Sequence, residues 1–195
     1  RLSGALFFND YANLQVSITD VATGSINAFI TNAAAAEIYG FELEADARLS
    51  EFFDIGGSLA YLNAKITEVE PGVRDFTLGQ RLQQVPEWAF TLYGETSRHL
   101  GNGFELKLRA DYSYKTNYFN DPALSTLLQQ DAFGLLSLRL ELASQQGWTV
   151  SVFGTNVTDE DYIEYGLDGL VAGLGIVERG FGRPAEWGVS LRYVY

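Results

Sequence analysis

Leu136-Ser137-Leu138-Arg139-Leu140-Glu141-Leu142 alternates apolar and polar residues without a break. A strand points successive side chains to opposite faces, so this stretch has one leucine face and one face of Ser137, Arg139 and Glu141. A helix would wind the same leucines around its axis and leave no continuous stripe. The pattern recurs on both sides. From 104 to 115, Phe104, Leu106, Leu108, Ala110, Tyr112 and Tyr114 alternate with Glu105, Lys107, Arg109, Asp111, Ser113 and Lys115. From 41 to 49, Phe41, Leu43, Ala45, Ala47 and Leu49 alternate with Glu42, Glu44, Asp46 and Arg48. At the end, Trp187, Val189, Leu191, Tyr193 and Tyr195 share one phase, and Glu186, Gly188, Ser190 and Arg192 the other.

The period predicts an all-β chain of about eight long strands, near 2–19, 28–49, 53–67, 86–98, 103–118, 133–143, 147–158 and 185–195. Several are longer than the roughly 5–6 residues usual in soluble sheets. About 10 residues, tilted, cross a bilayer's hydrocarbon layer. The first strand changes phase near Asn9-Asp10, where a bulge is expected. Connections alternate in length. Leu49-Ser50-Glu51-Phe52-Phe53, Arg98-His99-Leu100-Gly101-Asn102-Gly103 and Ala143-Ser144-Gln145-Gln146-Gly147 are short, whereas 68–85, 119–132 and 159–184 are long. The 19–27 connection, with Ala22-Thr23-Gly24-Ser25, falls on the long side although it is short itself. Short periplasmic turns and longer extracellular loops are the habit of antiparallel outer-membrane barrels. The final strand then runs inward and the C-terminus is periplasmic. Trp88 and Trp187 begin inward-running strands at the outer interface. Phe104 and Trp148 begin outward-running strands at the inner interface, where Tyr193 and Tyr195 end. Amphipathic rings favour the headgroup level, so these six are the expected membrane-interface aromatics.

Composition agrees. The chain has 195 residues, 47% hydrophobic and 14% aromatic, with 20 Gly, 4 Pro and no Cys. Mean hydropathy is near zero because polar faces dilute apolar ones. A net charge of −12 repels phosphate backbones and argues against nucleic-acid partners. Without Cys there is neither a disulfide framework nor a thiolate metal site. No run of about 18 apolar residues predicts a membrane helix. The opening Arg1-Leu2-Ser3-Gly4 has no Met and no signal-peptide pattern, and the expectation is that part of a longer protein precedes it.

Three segments resemble one family. Asn32-Ala33-Ala34-Ala35-Ala36-Glu37-Ile38-Tyr39-Gly40-Phe41-Glu42-Leu43-Glu44-Ala45 resembles the Asn-Ala…Gly-hydrophobic-Glu-hydrophobic-Glu strand of TonB-dependent receptors. Phe153-Gly154-Thr155-Asn156-Val157-Thr158-Asp159-Glu160-Asp161-Tyr162 resembles their penultimate strand, with its Asn-Leu-Thr-Asp and aromatic. Gly182-Arg183-Pro184 and Trp187 to Tyr195 resemble their last strand, although such barrels more often end in Phe. The resemblance implies the C-terminal part, 1–195, of a receptor barrel in the bacterial outer membrane, with the plug domain and earlier strands absent from this stretch. It implies uptake of a ferric siderophore or another scarce nutrient, and no enzymatic activity. The implied partners are outer-membrane lipid, the barrel-assembly machinery through the C-terminal strand, TonB through the N-terminal region, and a small-molecule ligand. No cofactor is implied.

Other readings compete. A complete eight-stranded barrel with a structural or adhesive role would close on itself and pair the mixed charges inside. A soluble β-sandwich would bury the leucine face. An outer-membrane lipase or protease would need a base, and His99, the single histidine, lies in an expected tight turn with no nucleophile placed near it. Asp159, Glu160 and Asp161 beside Asn156 offer oxygen ligands to a hard cation, but their spacing is not that of an EF-hand. Asn156-Val157-Thr158 matches a glycosylation sequon, which has no bearing on a bacterial chain. Gly166, Gly169, Gly173, Gly175, Gly180 and Gly182 predict a mobile loop, not a phosphate cradle, since no strand–turn–helix surrounds them. Within it Tyr165, Arg179, Phe181 and Arg183 are the candidate ligand contacts.

Overall fold

The structure is a computed structural model. It describes residues 1–20, 27–71, 73, 76–170 and 174–195, and at 16–20, 27–29, 31 and 33 it describes the backbone alone. The expected turn at Ala22 to Ser25 and the loop residue Gly173 lie outside the described residues. In chain order the strands are β1 (Leu2–Asp20), β2 (Asn27–Ser50), β3 (Phe53–Val69), β4 (Trp88–Gly101), β5 (Phe104–Lys115), β6 (Tyr118–Phe119), β7 (Gln129–Gln130), β8 (Phe133–Ser144), β9 (Trp148–Thr155), β10 (Ile163–Asp168), β11 (Val177–Phe181) and β12 (Glu186–Tyr193). One antiparallel sheet takes eight of them in the order β1-β2-β3-β4-β5-β8-β9-β12. All eight expected strands are present. β1 and β12 stand at opposite edges, so the sheet is open, and the self-closed eight-stranded barrel is not the arrangement found.

Register carries the two faces across the sheet. Phe41 pairs with Tyr61, Tyr61 with Trp88, and Phe90 with both Leu59 and Tyr114. Leu108 pairs with Leu140, Leu140 with Val152, and Val152 with Val189. The apolar phase is therefore continuous from β1 to β12. It faces outward into the surroundings: Leu6 is 87% exposed, Val189 73% and Leu191 75%. Unpaired apolar side chains over a whole sheet face are the mark of a surface that meets something apolar. The other face carries the charges in register. Arg48 pairs with Asp54, Lys107 with Glu141, and Arg109 with both Glu95 and Arg139.

The bulge of β1 falls later than its sequence suggests. Register shifts lie between Tyr11 and Gln15, at Asn13, whose φ is +58°, not at Asn9-Asp10. Asn tolerates this left-handed conformation better than the residues around it. The turn between β4 and β5 uses Asn102 at φ +50° and Gly103 at φ +77°, the positive pair that a two-residue hairpin turn demands.

The other end of the sheet is folded further than expected. The glycine-rich segment is not open along its described length: β10 and β11 pair as a hairpin. Ile163, Tyr165 and Leu167 alternate with Glu164, Gly166 and Asp168, a strand signal that the surrounding glycines obscure. β6 pairs with β7 in a second, shorter hairpin. Segment 79–82 returns beside β3, where Gly79 N–H donates to Ile66 O (2.8 Å), Ile66 N–H to Gln80 O (2.9 Å) and Leu82 N–H to Ala64 O (3.2 Å). Above Tyr61, the β4 side of β3 has no strand partner, and this segment takes its place. Leu82 from this segment, with Val73 and Phe76 from the chain before it, packs on Ala34, Ala36 and Ile66. Buried apolar residues thus gather at the loop end (Leu128, Tyr118, Phe133, Ile163) and beside β3, not across the sheet.

Candidate functional site

The polar face of β4, β5, β8 and β9 builds a charged wall. Arg109 donates to Asp111 from Nε and Nη2 (2.7–3.1 Å) and from Nη1 to Glu95 (3.4 Å). Its guanidinium lies 4.3 Å from the Tyr93 ring centre. Tyr93 in turn donates its hydroxyl to Asp46 (2.9 Å). The ring crosses Gly56, where a Cβ would come within 2.6 Å of Tyr93 Cε1 and of Asp46 Oδ1. Further along, Arg139 donates to Glu141 (3.2 Å) and to Ser151 Oγ (2.9 Å), and Ser151 donates to Glu141 (3.2 Å). Lys107, Arg109 and Arg139 on this wall each pair within two residues or one strand. Exposed pairs of this kind contribute about 0.2–1 kcal/mol each, so they set the wall's shape more than its stability.

Above this wall lies an open trough of roughly 1120 Å³. Tyr93, Arg109 and Asp111 line it toward the sheet, and Tyr162, Asn156 and Arg183 toward the long loops. A second hollow of roughly 450 Å³ lies between Lys115, Tyr118, Phe133, Tyr162, Glu164 and Gln84. The two share Ser113, Leu135 and Tyr162. Tyr162 stacks on Phe133 with ring centres 4.8 Å apart and planes 9° from parallel. Burial pushes the Tyr118 hydroxyl pKa up, and Tyr162 and Glu164 add to the shift. Tyr118 therefore stays neutral and available as a donor at physiological pH.

The described residues of three loops roof this region: the first within 76–87, the second over 116–132, and the third over 156–170 and 174–185. Gln84 N–H donates to Phe119 O (2.8 Å) and Gln80 Nε2 to Pro122 O (2.9 Å), tying the first to the second. Asn120, in the second, donates Nδ2 to Leu128 O (3.2 Å), while its Oδ1 is buried with no donor among the described residues.

The four candidate ligand contacts are not brought together. Arg183 lines the trough and bridges Glu186 at 3.5 Å. Arg179 is spent on Leu127 O (2.8 Å). Tyr165 and Phe181 are more than half exposed and do not line the trough. Tyr93, Arg109 and Tyr162 line it and were not among the candidates. Tyr93 and Arg109 share the polar phase of their strands, a signal already present in the alternation; Tyr162 ends the Asn156 to Tyr162 motif. His99 is exposed at the short-turn end, opposite Glu105. The acidic cluster does not converge: Asn156 Oδ1 accepts Glu160 N–H, and Asp159 Oδ1 accepts Ala185 N–H. Of the interface aromatics, Phe104 meets Trp148 edge-on at 5.8 Å and Trp148 pairs with Tyr193 at one end of the sheet. Trp88 packs on Tyr61 at 4.8 Å toward the other, while Trp187 and Tyr195 are largely exposed.

The fold matches that of solved receptors. The chain superposes on the ferric yersiniabactin uptake receptor FyuA from Yersinia pestis with a TM-score of 0.80 and 18% identity, covering 98% of this chain and 27% of that one. It superposes on the copper transporter OprC (0.73, 15%, covering 98% and 28%) and on the ferripyoverdine receptor of the Pseudomonas aeruginosa outer membrane (0.67, 15%, covering 98% and 24%). The chain thus spans about a quarter of these receptors' length. No curated protein matches it. The model of the TonB dependent receptor-like β-barrel matches residues 1–157, four-fifths of the chain. The outward leucine face is accordingly the outer side of the barrel wall and the charged face its lumen side, and the chain belongs to the TonB-dependent receptor β-barrel family.

Proposed function

We propose that this chain is the C-terminal part of an outer-membrane uptake receptor, and that its luminal trough is where a small-molecule ligand first rests. One observation carries the reading: a polar, aromatic-lined trough opens on the lumen side directly beneath folded loops. A ferric siderophore is the favoured ligand, since FyuA takes up ferric yersiniabactin and the ferripyoverdine receptor was solved with ferripyoverdine. Tyr162, stacked on Phe133, supplies its ring edge and hydroxyl, and Arg183, Arg109 and Lys115 supply cations for an acidic chelate. Tyr165, Arg179, Phe181 and Arg183 would meet the ligand at the outer mouth only after the loops rearrange. Copper, the cargo of OprC, is the second reading, and nothing in the trough favours it. In the intact receptor, the plug domain would fill the lumen and TonB would act through it. Lipid would contact the leucine face, and the assembly machinery would engage the C-terminal strand.

The test uses the full-length receptor in iron-starved cells with and without TonB. ⁵⁵Fe uptake should be TonB-dependent for at least one siderophore of a panel, and Tyr162→Ala with Arg183→Ala should raise its half-saturation about tenfold or more. TonB-independent uptake, or uptake unmoved by the double substitution, overturns the reading.

A further inference from the structure

The second and third long loops, 116–132 and 156–185, meet along a junction unlike an ordinary loop contact. Leu128 is fully buried there. It sits on Gly166, where a Cβ would collide with the Leu128 Cδ2 methyl and close to 3.0 Å on Glu178 O. Gln130, also buried, accepts Ile163 N–H at Oε1 (2.6 Å) and donates Nε2 to Asp131 O (2.8 Å). Arg179 Nε donates to Leu127 O (2.8 Å), and Ser125 Oγ donates to Asp168 Oδ2 (2.6 Å). The Phe133–Tyr162 stack completes the junction on the trough side. The loop at 70–87 joins the second loop by Gln80, Arg81 and Gln84, but it is also laced to β3.

We propose that loop 116–132 and the described parts of the next long loop, 156–170 and 174–185, are one lid that moves as a unit over the trough, with Leu128 seated on Gly166 as its lock and Gln130 positioning Tyr162. Parting the two loops would put Leu128 into water and break the Ile163–Gln130, Arg179–Leu127 and Ser125–Asp168 hydrogen bonds that cross the junction. Lifting both together keeps the Leu128–Gly166 seat and the Gln130, Arg179 and Ser125 hydrogen bonds, and parts only Tyr162 from Phe133 of β8. The lid's purpose rests on the reading of the trough as a ligand site; its unity does not.

Hydrogen–deuterium exchange on the full-length receptor in detergent micelles tests the unity without any ligand. Leu128→Ala should speed exchange about tenfold or more at Leu128 and, equally, at Ile163 and Gly182 in the other loop, with the β5–β8 ladder unchanged. Gly166→Ala should do the same from the opposite side. The double variant should exchange more slowly than the product of the single effects predicts, because the shortened side chain at position 128 makes room for the new methyl. Faster exchange confined to the mutated loop, or strictly additive effects, overturns the lock. A receptor whose uptake proves independent of TonB would sink the transport reading and leave this result standing.

Discussion

Arg109 joins side chains from three strands: Asp111 beside it, Glu95 and Tyr93 on β4, and through Tyr93 the Asp46 carboxylate on β2. Alternation alone puts Arg109 and Asp111 on one face. The link to Tyr93 and Asp46 needs the register, which no single strand's sequence encodes. The same logic separates two adjacent residues of β8. Leu138 pairs with Ala110 and Gly154 on the lipid face, whereas Arg139 bonds Glu141 and Ser151 on the lumen face. An arginine at mid-bilayer on the lipid face costs roughly 2–4 kcal/mol. Leu138→Arg should therefore abolish the heat-modifiable form of the full-length receptor on cold gels. Arg139→Leu should retain it, since Glu141 keeps the Ser151 hydroxyl. Asp121, in the second loop, offers a pH test. Burial raises its carboxyl pKa and the Asp168 charge adds to the rise, against the Ser125 N–H that favours ionisation. The folded loop thus holds this proton more tightly than the unfolded chain. Its contribution favours the folded loop at acid pH and fades as pH climbs from the free value of about 3.9 through the raised one. A nitroxide at Ala123 should grow more mobile over that climb. In Asp121→Asn, which keeps an acceptor for Ser125 and has no charge to lose, mobility should stay level.

At the scale of elements, strand length decides where the bilayer stops. β1, β2 and β3 have 19, 24 and 17 residues, well beyond the roughly 10 a tilted crossing needs. Their outward phase changes character partway along. Phe8 pairs with Tyr39 and Phe41 with Tyr61; further along, past Tyr39 and its partner Asn63, Asp10 pairs with Glu37, and Glu37 with Lys65. In a bilayer, charges opposite one another on the outward face would mark the end of the hydrocarbon, and the rings just before them would sit at headgroup level. A nitroxide at Leu43 should collide with dissolved oxygen and not with a water-soluble nickel chelate, and one at Glu37 the reverse. Equal chelate access at both positions would misplace the boundary. The spanning strands were readable in the sequence because one face must be apolar over the whole crossing. The loops were not. β6 and β7 are two residues each, and their pairing depends on Gln84, Leu128 and Gln130 converging from distant positions. The trough inherits that blindness. Its wall follows from parity, but its roof, Tyr162 included, follows from loop packing, which is why the candidates named from the glycine-rich segment fall mostly outside it.

At the scale of the molecule, the open sheet poses an energetic problem that fixes what the chain can do alone. β1 and β12 each present a free edge of backbone N–H and C=O groups. In water such an edge is tolerable; in hydrocarbon each unpaired group costs several kcal/mol. Closing these eight strands on themselves would supply the missing bonds. It would also tighten the curvature and press the Arg109 and Arg139 pairs together across a lumen that eight strands fill with side chains. The trough of roughly 1120 Å³ would have no room there. Completion by further strands satisfies the same edges and keeps the trough. The 195-residue chain refolded alone into detergent should accordingly give aggregates or multimers joined through β1 and β12, with no heat-modifiable monomer by cold gel and size-exclusion chromatography. Supplied with the remaining strands of a receptor barrel, it should enter a heat-modifiable complex. A lone chain that runs as a compact monomer and inserts into lipid vesicles would show that the edges find each other, and the wide-barrel account of the lumen would fall with it.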